Sequence, residues 1–165
     1  MIRQNETTTF INQKPTKTLV SQRLKGERGN VSVQIEFFEP MRIPSATHQE
    51  KQVAVQNGKP HFYEPANVKD ARQSYMAHLG RHAPKQPMDG PLCLCVAFEY
   101  HKDGIVGDNR EWKPTKPDTD NMIKMVKDCM TKLGYWHDDA QVCLEDVQKF
   151  YHRYSEMIYV KVVSL

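Results

Sequence analysis

The chain has 165 residues, 39% of them hydrophobic, with a formal charge of +3 and a pI near 8.6. That length suits one domain with a real core, and the hydrophobic fraction with seven tyrosines excludes a disordered chain. No apolar run approaches the ~20 residues that span a bilayer, and residues 1–5 lack a signal-like apolar stretch, so a cytoplasmic protein with no membrane association is expected.

Residues 1–30 are polar and basic, with Arg3, Lys14, Lys17, Arg23, Lys25 and Arg28 against Glu6 and Glu27. They read as a basic N-terminal arm or an extra strand, and residues 31–165 as the folded domain. Val31 to Phe38 alternates apolar and polar, the pattern of a half-buried strand, and Pro40 and Pro44 end it. Residues 45–66 are mostly polar, with a hairpin signal at Asn57-Gly58. Asn67 reads as the N-cap of a helix running through Leu79, with Val68, Ala71, Tyr75, Met76 and Leu79 on its inner face.

A Pro/Gly linker over residues 84–91 leads to Leu92–Phe98, apolar on both faces and so expected as a central strand. A polar loop with Gly104 and Gly107 follows. The second helix begins near Asp118–Asp120, carries a buried stripe from Met122 to Leu133, and stops at Gly134. Residues 141–151 and 157–163 read as two strands joined as a hairpin at Arg153–Glu156. The order β-α-β-α-β-β predicts an α+β single domain, a mixed sheet with two main helices. Cys93, Cys95, Cys129 and Cys143 form no CxxC pair and read as small core hydrophobes in a reducing compartment.

Two acidic clusters bracket the second helix: Asp118-Thr119-Asp120-Asn121 at its start and His137-Asp138-Asp139 just after its end. Helix capping and the helix dipole alone would account for Asp118 and Asp120. A turn accommodates one Asp readily, but two adjoining ones exceed what it needs. If the returning chain brings the second cluster beside the helix start, the four carboxylates repel unless a cation sits among them. Hard oxygen ligands suit Mg²⁺, with Mn²⁺ able to substitute. Such a cation polarises a phosphate and activates water, which points to phosphodiester hydrolysis. Lys124, one turn after Asp120, either pairs with it or offers charge to a phosphorane transition state. Arg110, Lys113 and Lys116, just before the first cluster, are candidate contacts to a polyanion. An EF-hand is excluded, because Ile123 and Cys129 stand where that loop needs Gly and Glu. His137 reads as an ordinary turn histidine.

Lys116-Pro-Asp-Thr-Asp-Asn121 followed by Lys124, then Gly134-Tyr-Trp-His-Asp-Asp-Ala-Gln-Val142, resembles the RusA family of Holliday junction resolvases. The resemblance is carried by residues 113–142, with weaker similarity back to the strand at Val31, which makes 31–165 the RusA-like nuclease domain. It implies a homodimeric, Mg²⁺-dependent endonuclease that nicks a four-way DNA junction symmetrically and leaves 5′-phosphate and 3′-hydroxyl ends. No organic cofactor is implied, and a phage-encoded protein working in a bacterial host's cytoplasm fits. By matching position, Asp118, Asp120 and Asp139 fall on the family's essential carboxylates, Asp138 on the neighbouring acidic position and Lys124 on its catalytic lysine. Two departures concern DNA affinity: residues 44–51 are poor in Arg, and residues 1–30 have no counterpart. The alternatives are a branched-DNA-binding protein without catalysis and a broader flap or fork nuclease.

Overall fold

The computed structural model describes residues 34–46 and 64–165 in full, and residues 24–25, 31–32, 52–56 and 59–63 by their backbone. The strands are β1 (Leu24–Lys25), β2 (Val31–Ser32), β3 (Gln34–Pro40), β4 (Gln52–Gln56), β5 (Lys59–Tyr63), β6 (Leu92–His101), β7 (Glu111–Trp112), β8 (Val142–His152) and β9 (Met157–Ser164). The α-helices are α1 (Ala66–Leu79) and α2 (Thr119–Lys132). The main sheet has the order β3-β9-β6-β8-β7, while β1-β2 and β4-β5 form separate two-stranded ladders. The architecture is α+β, as the periodicities predicted, and β4-β5 is the hairpin signalled by Asn57-Gly58.

Strand periodicity sorts the main sheet into two faces. Ile35 and Phe37 of β3, Val160 and Ile158 of β9, and Leu94, Val96, Phe98 and Tyr100 of β6 share one core with both helices. From α1 this core takes Val68, Ala71, Tyr75 and Leu79; from α2 it takes Met122, Ile123, Met125, Val126, Cys129 and Met130. Removing each such side chain from water contributes about 2 kcal/mol. The helices therefore lie on a single face, and α2 runs along β6 and β8. Its start is fixed beside Tyr100, whose hydroxyl meets the Met122 sulfur, and its end beside the first residues of β8.

Four expectations change. β8 and β9 are not a hairpin: β6 lies between them, parallel to β8 and antiparallel to β9, and the link at residues 153–156 crosses the end of β6. A strand as apolar as β6 needs neighbours on both edges, and taking the middle provides them. The stretch from Val31 is not one strand, since Val31–Ser32 pairs with Leu24–Lys25 and Gln34–Pro40 pairs with β9. Pro65, not Asn67, caps α1, and its carbonyl accepts from both Val68 and Lys69. Of the cysteines only Cys129 is buried; Cys93 and Cys95 are half-buried on the helix-free face and Cys143 is exposed. Most of residues 1–30, the expected basic arm, lie outside the described residues.

Candidate active site

The first acidic cluster rests on a loop held from below by lysines. Lys149 of β8 donates to the carbonyls of Thr115 and Pro117 at 2.8 and 2.6 Å. Lys113 donates to the Thr115 hydroxyl and to the Lys116 carbonyl. Its ammonium also lies 4.7 Å from the centre of the Tyr100 ring, and the residue is only 9% exposed. The Lys116–Pro117 peptide is cis. Burial lowers the Lys149 ammonium's pKa, and the positive charge of Lys113 adds to that. Two cations so close need the carbonyls, and the nearby Asp118 charge partly offsets their repulsion.

The expected polyanion-binding trio is thereby corrected. Arg110 pairs at 2.6 Å with Glu99, a carboxylate that is almost wholly buried, and Lys113 serves the loop. Only Lys116 keeps an exposed position. Buried polar groups need partners, and the carbonyls of this tight turn and the Glu99 carboxylate drew these side chains inward.

Asp118 occupies the N-cap position of α2, but its side chain makes no capping hydrogen bond. Asp120 lies in the first turn, and both residues are exposed. The capping explanation thus fails for Asp118, whose carboxylate stays turned to solvent near Lys149. Lys124, one turn on, is exposed and forms no ion pair with Asp120. Asp120 and Lys124 therefore stand on the outer start of α2 with no structural task among the described residues, and Asp118 has none beyond its charge beside Lys149.

At the other end, Gly134 takes φ 77° and closes the helix, with Tyr135 N–H donating to Met130 and Gly134 N–H to Thr131. Trp136, buried, donates its indole N–H to the Thr131 hydroxyl at 2.7 Å, so the exit path is fixed. Asp138 then caps a short 3-10 turn over Asp139–Gln141: its carboxylate accepts from Ala140 N–H at 2.8 Å, and the Gln141 side chain closes the box. Gln141 also donates to the Met88 and Gly90 carbonyls, which anchors this turn beside the start of β6. His137 pairs with Asp89 in an exposed contact, the ordinary turn histidine expected. The Asp139 side chain is exposed and makes no hydrogen bond among the described residues. The adjoining carboxylates thus differ: that of Asp138 has a backbone task and that of Asp139 has none.

The two clusters do not meet within one chain. Asp118 sits by Lys149, toward the C-terminal ends of β6 and β8, whereas Asp138 and Asp139 precede Val142 at their N-terminal ends. The 14 residues of α2 rise about 1.5 Å each, which puts about 20 Å between the clusters. Among the described residues no three His, Cys, Asp or Glu side chains gather as a metal site. The idea that the returning chain closes the gap fails because β8 runs antiparallel to α2 for its whole length before it reaches Lys149. Each end offers oxygen donors of the right chemistry for a hard divalent cation, and neither end alone offers a full set.

Lys149 was not singled out from sequence. A signal existed: the period of β8 puts it on the core-facing side with Val147 and Tyr151, where a lysine requires a polar partner. No helix among the described residues is long and apolar enough to cross a membrane.

Sequence comparison agrees with these features. The sequence model of the family described as Endodeoxyribonuclease RusA matches residues 40–163. The crossover junction endodeoxyribonuclease rusA of Lactococcus phage r1t is 34% identical over 116 residues, covering 68% of this chain and 84% of that protein. Protein YqaN of Bacillus subtilis strain 168 is 32% identical over 108 residues, covering 59% of this chain and 75% of its own. The matched span contains both acidic clusters, α2 between them, the whole of β6 and β8 and all of β9 but Ser164, and by that match the chain belongs to the RusA endodeoxyribonuclease family.

Proposed function

We propose that this protein is a metal-dependent endonuclease that resolves four-way DNA junctions by paired nicks, working as a homodimer. The observation that carries the reading is the pair Asp118 and Asp120: exposed carboxylates at a helix start, unused in capping, within a family of endodeoxyribonucleases. Hydrolysis of each nicked strand leaves a 5′-phosphate and a 3′-hydroxyl. A Mg²⁺ or Mn²⁺ ion held by Asp118, Asp120 and Asp139 supplies the charge that polarises the phosphate and activates water. Because one chain holds these residues about 20 Å apart along α2, Asp139 joins the others from a second copy. Asp138 supports Asp139 by fixing its turn rather than by contributing oxygens. Lys124, unpaired on the same surface as Asp120, faces the phosphate whose negative charge grows in the transition state. Two-fold symmetry then presents two equivalent sites to a junction that is itself nearly two-fold symmetric.

The test is cleavage of a synthetic four-way junction with Mg²⁺, beside an EDTA control and the Asp120→Asn variant. Symmetric nicks lost in both controls support the reading. Tight binding without cleavage, in Mn²⁺ as well, overturns it in favour of a branch-binding protein. Equal rates on flaps, forks and junctions point instead to a broader structure-specific nuclease.

A further inference from the structure

We infer that Trp112 is a stacking platform for a DNA base left open at a branch point. The chain has two tryptophans, and they stand in opposite environments. Trp136 is buried and donates its indole N–H, whereas Trp112 is 67% exposed. Trp112 is nonetheless held in place. Its backbone pairs with Phe150 in β7, and its ring packs on the Phe150 ring at 4.4 Å between centres, tilted by 33°. The Arg110 guanidinium lies 5.6 Å from the centre of the same Phe150 ring and is fixed in turn by the buried Glu99. Phe150 is itself buried, so Trp112 serves as its cover, but a cover needs only one face of the indole. The remaining aromatic surface stands in water. Such a surface suits an unstacked base, because every base presents a π-face and a fixed side chain has little freedom left to lose.

The position of the ring favours a substrate base over another apolar partner. β7 is the outermost strand of the main sheet, and from Trp112 the chain runs directly into the loop of Lys113–Pro117 that ends at Asp118. Lys113 N–H donates to the Lys149 carbonyl beside Phe150, and the Lys149 ammonium reaches the Pro117 carbonyl. One strand spacing and one lysine side chain thus separate the platform from the loop under Asp118. At about 3.4 Å per nucleotide along a strand, that is a few nucleotides. Trp112 and Phe150 alternate with Glu111 and Tyr151, so the ring turns to the sheet face opposite α2. DNA crossing the β7 edge would then meet the indole on one side and Asp118 on the other, with exposed Lys116 supplying positive charge between them. Bases inside a duplex hide their faces in the stack. At the exchange point of a four-way junction, the last pair of an arm can lose one stacking neighbour. The platform therefore gives a means of telling a branch from a duplex, which contacts to phosphates alone do not provide.

This inference rests on branched DNA being the substrate, and its binding test is run without metal so that it does not depend on cleavage. Trp112→Leu keeps an apolar cover over Phe150 and removes the π-face, whereas Trp112→Phe keeps a smaller π-face. Affinity for a four-way junction should fall about tenfold for Trp112→Leu and much less for Trp112→Phe, with duplex affinity and the urea midpoint unchanged. Fluorescence needs no variant, because Trp136 is buried and the emission open to acrylamide belongs to Trp112. A junction should quench that emission and shield it from acrylamide, and a duplex of the same sequence should do neither. Emission still open to acrylamide in the junction complex overturns the platform, as does native-like junction affinity in Trp112→Leu. Equal losses on duplex and junction also overturn it, since a general DNA contact is then what was removed. Shielding in free protein that vanishes on dilution would give the indole to a second copy instead. A junction that shields Trp112 but is never cut, in Mg²⁺ or Mn²⁺, sinks the endonuclease reading alone. Symmetric cutting with Trp112 open to solvent sinks the platform alone.

Discussion

Lys149 donates to the carbonyl of Pro117 at 2.6 Å, and this one bond ties the C-terminal half of β8 to the residue preceding Asp118. The carboxylate's position is thus set by a strand whose other end carries Asp139. Lys149→Met keeps the aliphatic stem and removes the donors. Loss of charge-assisted bonds to Thr115 and Pro117 should cost about 1–2 kcal/mol, a fall of roughly 3–6 °C in Tm. Junction cleavage should fall on the order of tenfold or more as the loop under Asp118 loosens. A drop in Tm with full cleavage would confine Lys149 to stability.

The adjoining aspartates should separate cleanly. Asp138→Ala removes the cap of the Asp139–Gln141 turn and should cost about 1 kcal/mol, read as a lower urea midpoint. Asp139→Ala should leave the midpoint unchanged and abolish cleavage. The reverse pattern would return the metal-binding role to Asp138.

Sites shared between copies predict rescue by mixing. Asp120→Asn and Asp139→Asn should each be inactive alone. A refolded mixture contains heterodimers in which one site carries both substitutions and the other carries neither. Single-strand nicking should therefore return, to no more than about a quarter of native activity (about half the dimers are mixed, each with one intact site). No recovery, despite proven subunit exchange, would place all the ligands in one chain.

Lys124→Ala should abolish cleavage at constant stability, because the side chain is exposed and unpaired among the described residues. Junction affinity measured without metal should change little. A large affinity loss with residual cleavage would make Lys124 a DNA contact rather than a transition-state partner.

The stability of the fold should depend on His152. Burial lowers its pKa below the usual 6.5, and the nearby charges of Arg110 and His101 lower it further, against a smaller opposing pull from Glu156. Above pH 6.5 both folded and unfolded forms are neutral and the full stability is present. As pH falls below 6.5 the unfolded chain takes the proton first, so stability declines until the folded pKa is reached. His152→Gln should flatten the urea midpoint between pH 7 and pH 5 relative to native protein. An unchanged slope would assign that pH dependence elsewhere.

Element types along the chain were legible because the periods of β6 and α2 are strong. Leu92–Phe98 announced a strand buried on both faces, and Met122 to Leu133 a helix with one apolar stripe. Pairing was not legible. The short link at residues 153–156 looks like a hairpin locally, and only the demand of β6 for two neighbours overrides it. The same limit governed the site. Asp118, Asp120, Asp138, Asp139 and Lys124 stood out by type and spacing, yet whether they meet depends on the direction of β8 relative to α2. Arg110 and Lys113 misled for a related reason: charge in a sequence does not reveal whether Glu99 or a turn's carbonyls will claim it.

The placement of β6 between β8 and β9 also bears on how the chain reaches its fold. Four residues extend about 13 Å, enough to cross two strand spacings of about 5 Å each, so the link at 153–156 tolerates either arrangement. A β8–β9 hairpin is therefore the quick local pairing, and the native sheet requires contacts about 50 residues apart in sequence between β6 and β8. β6 separates the two outcomes: it is apolar on both faces and leaves an edge bare unless both β8 and β9 pair with it. The long-range pairing is thus what places the two acidic clusters at opposite ends of one strand.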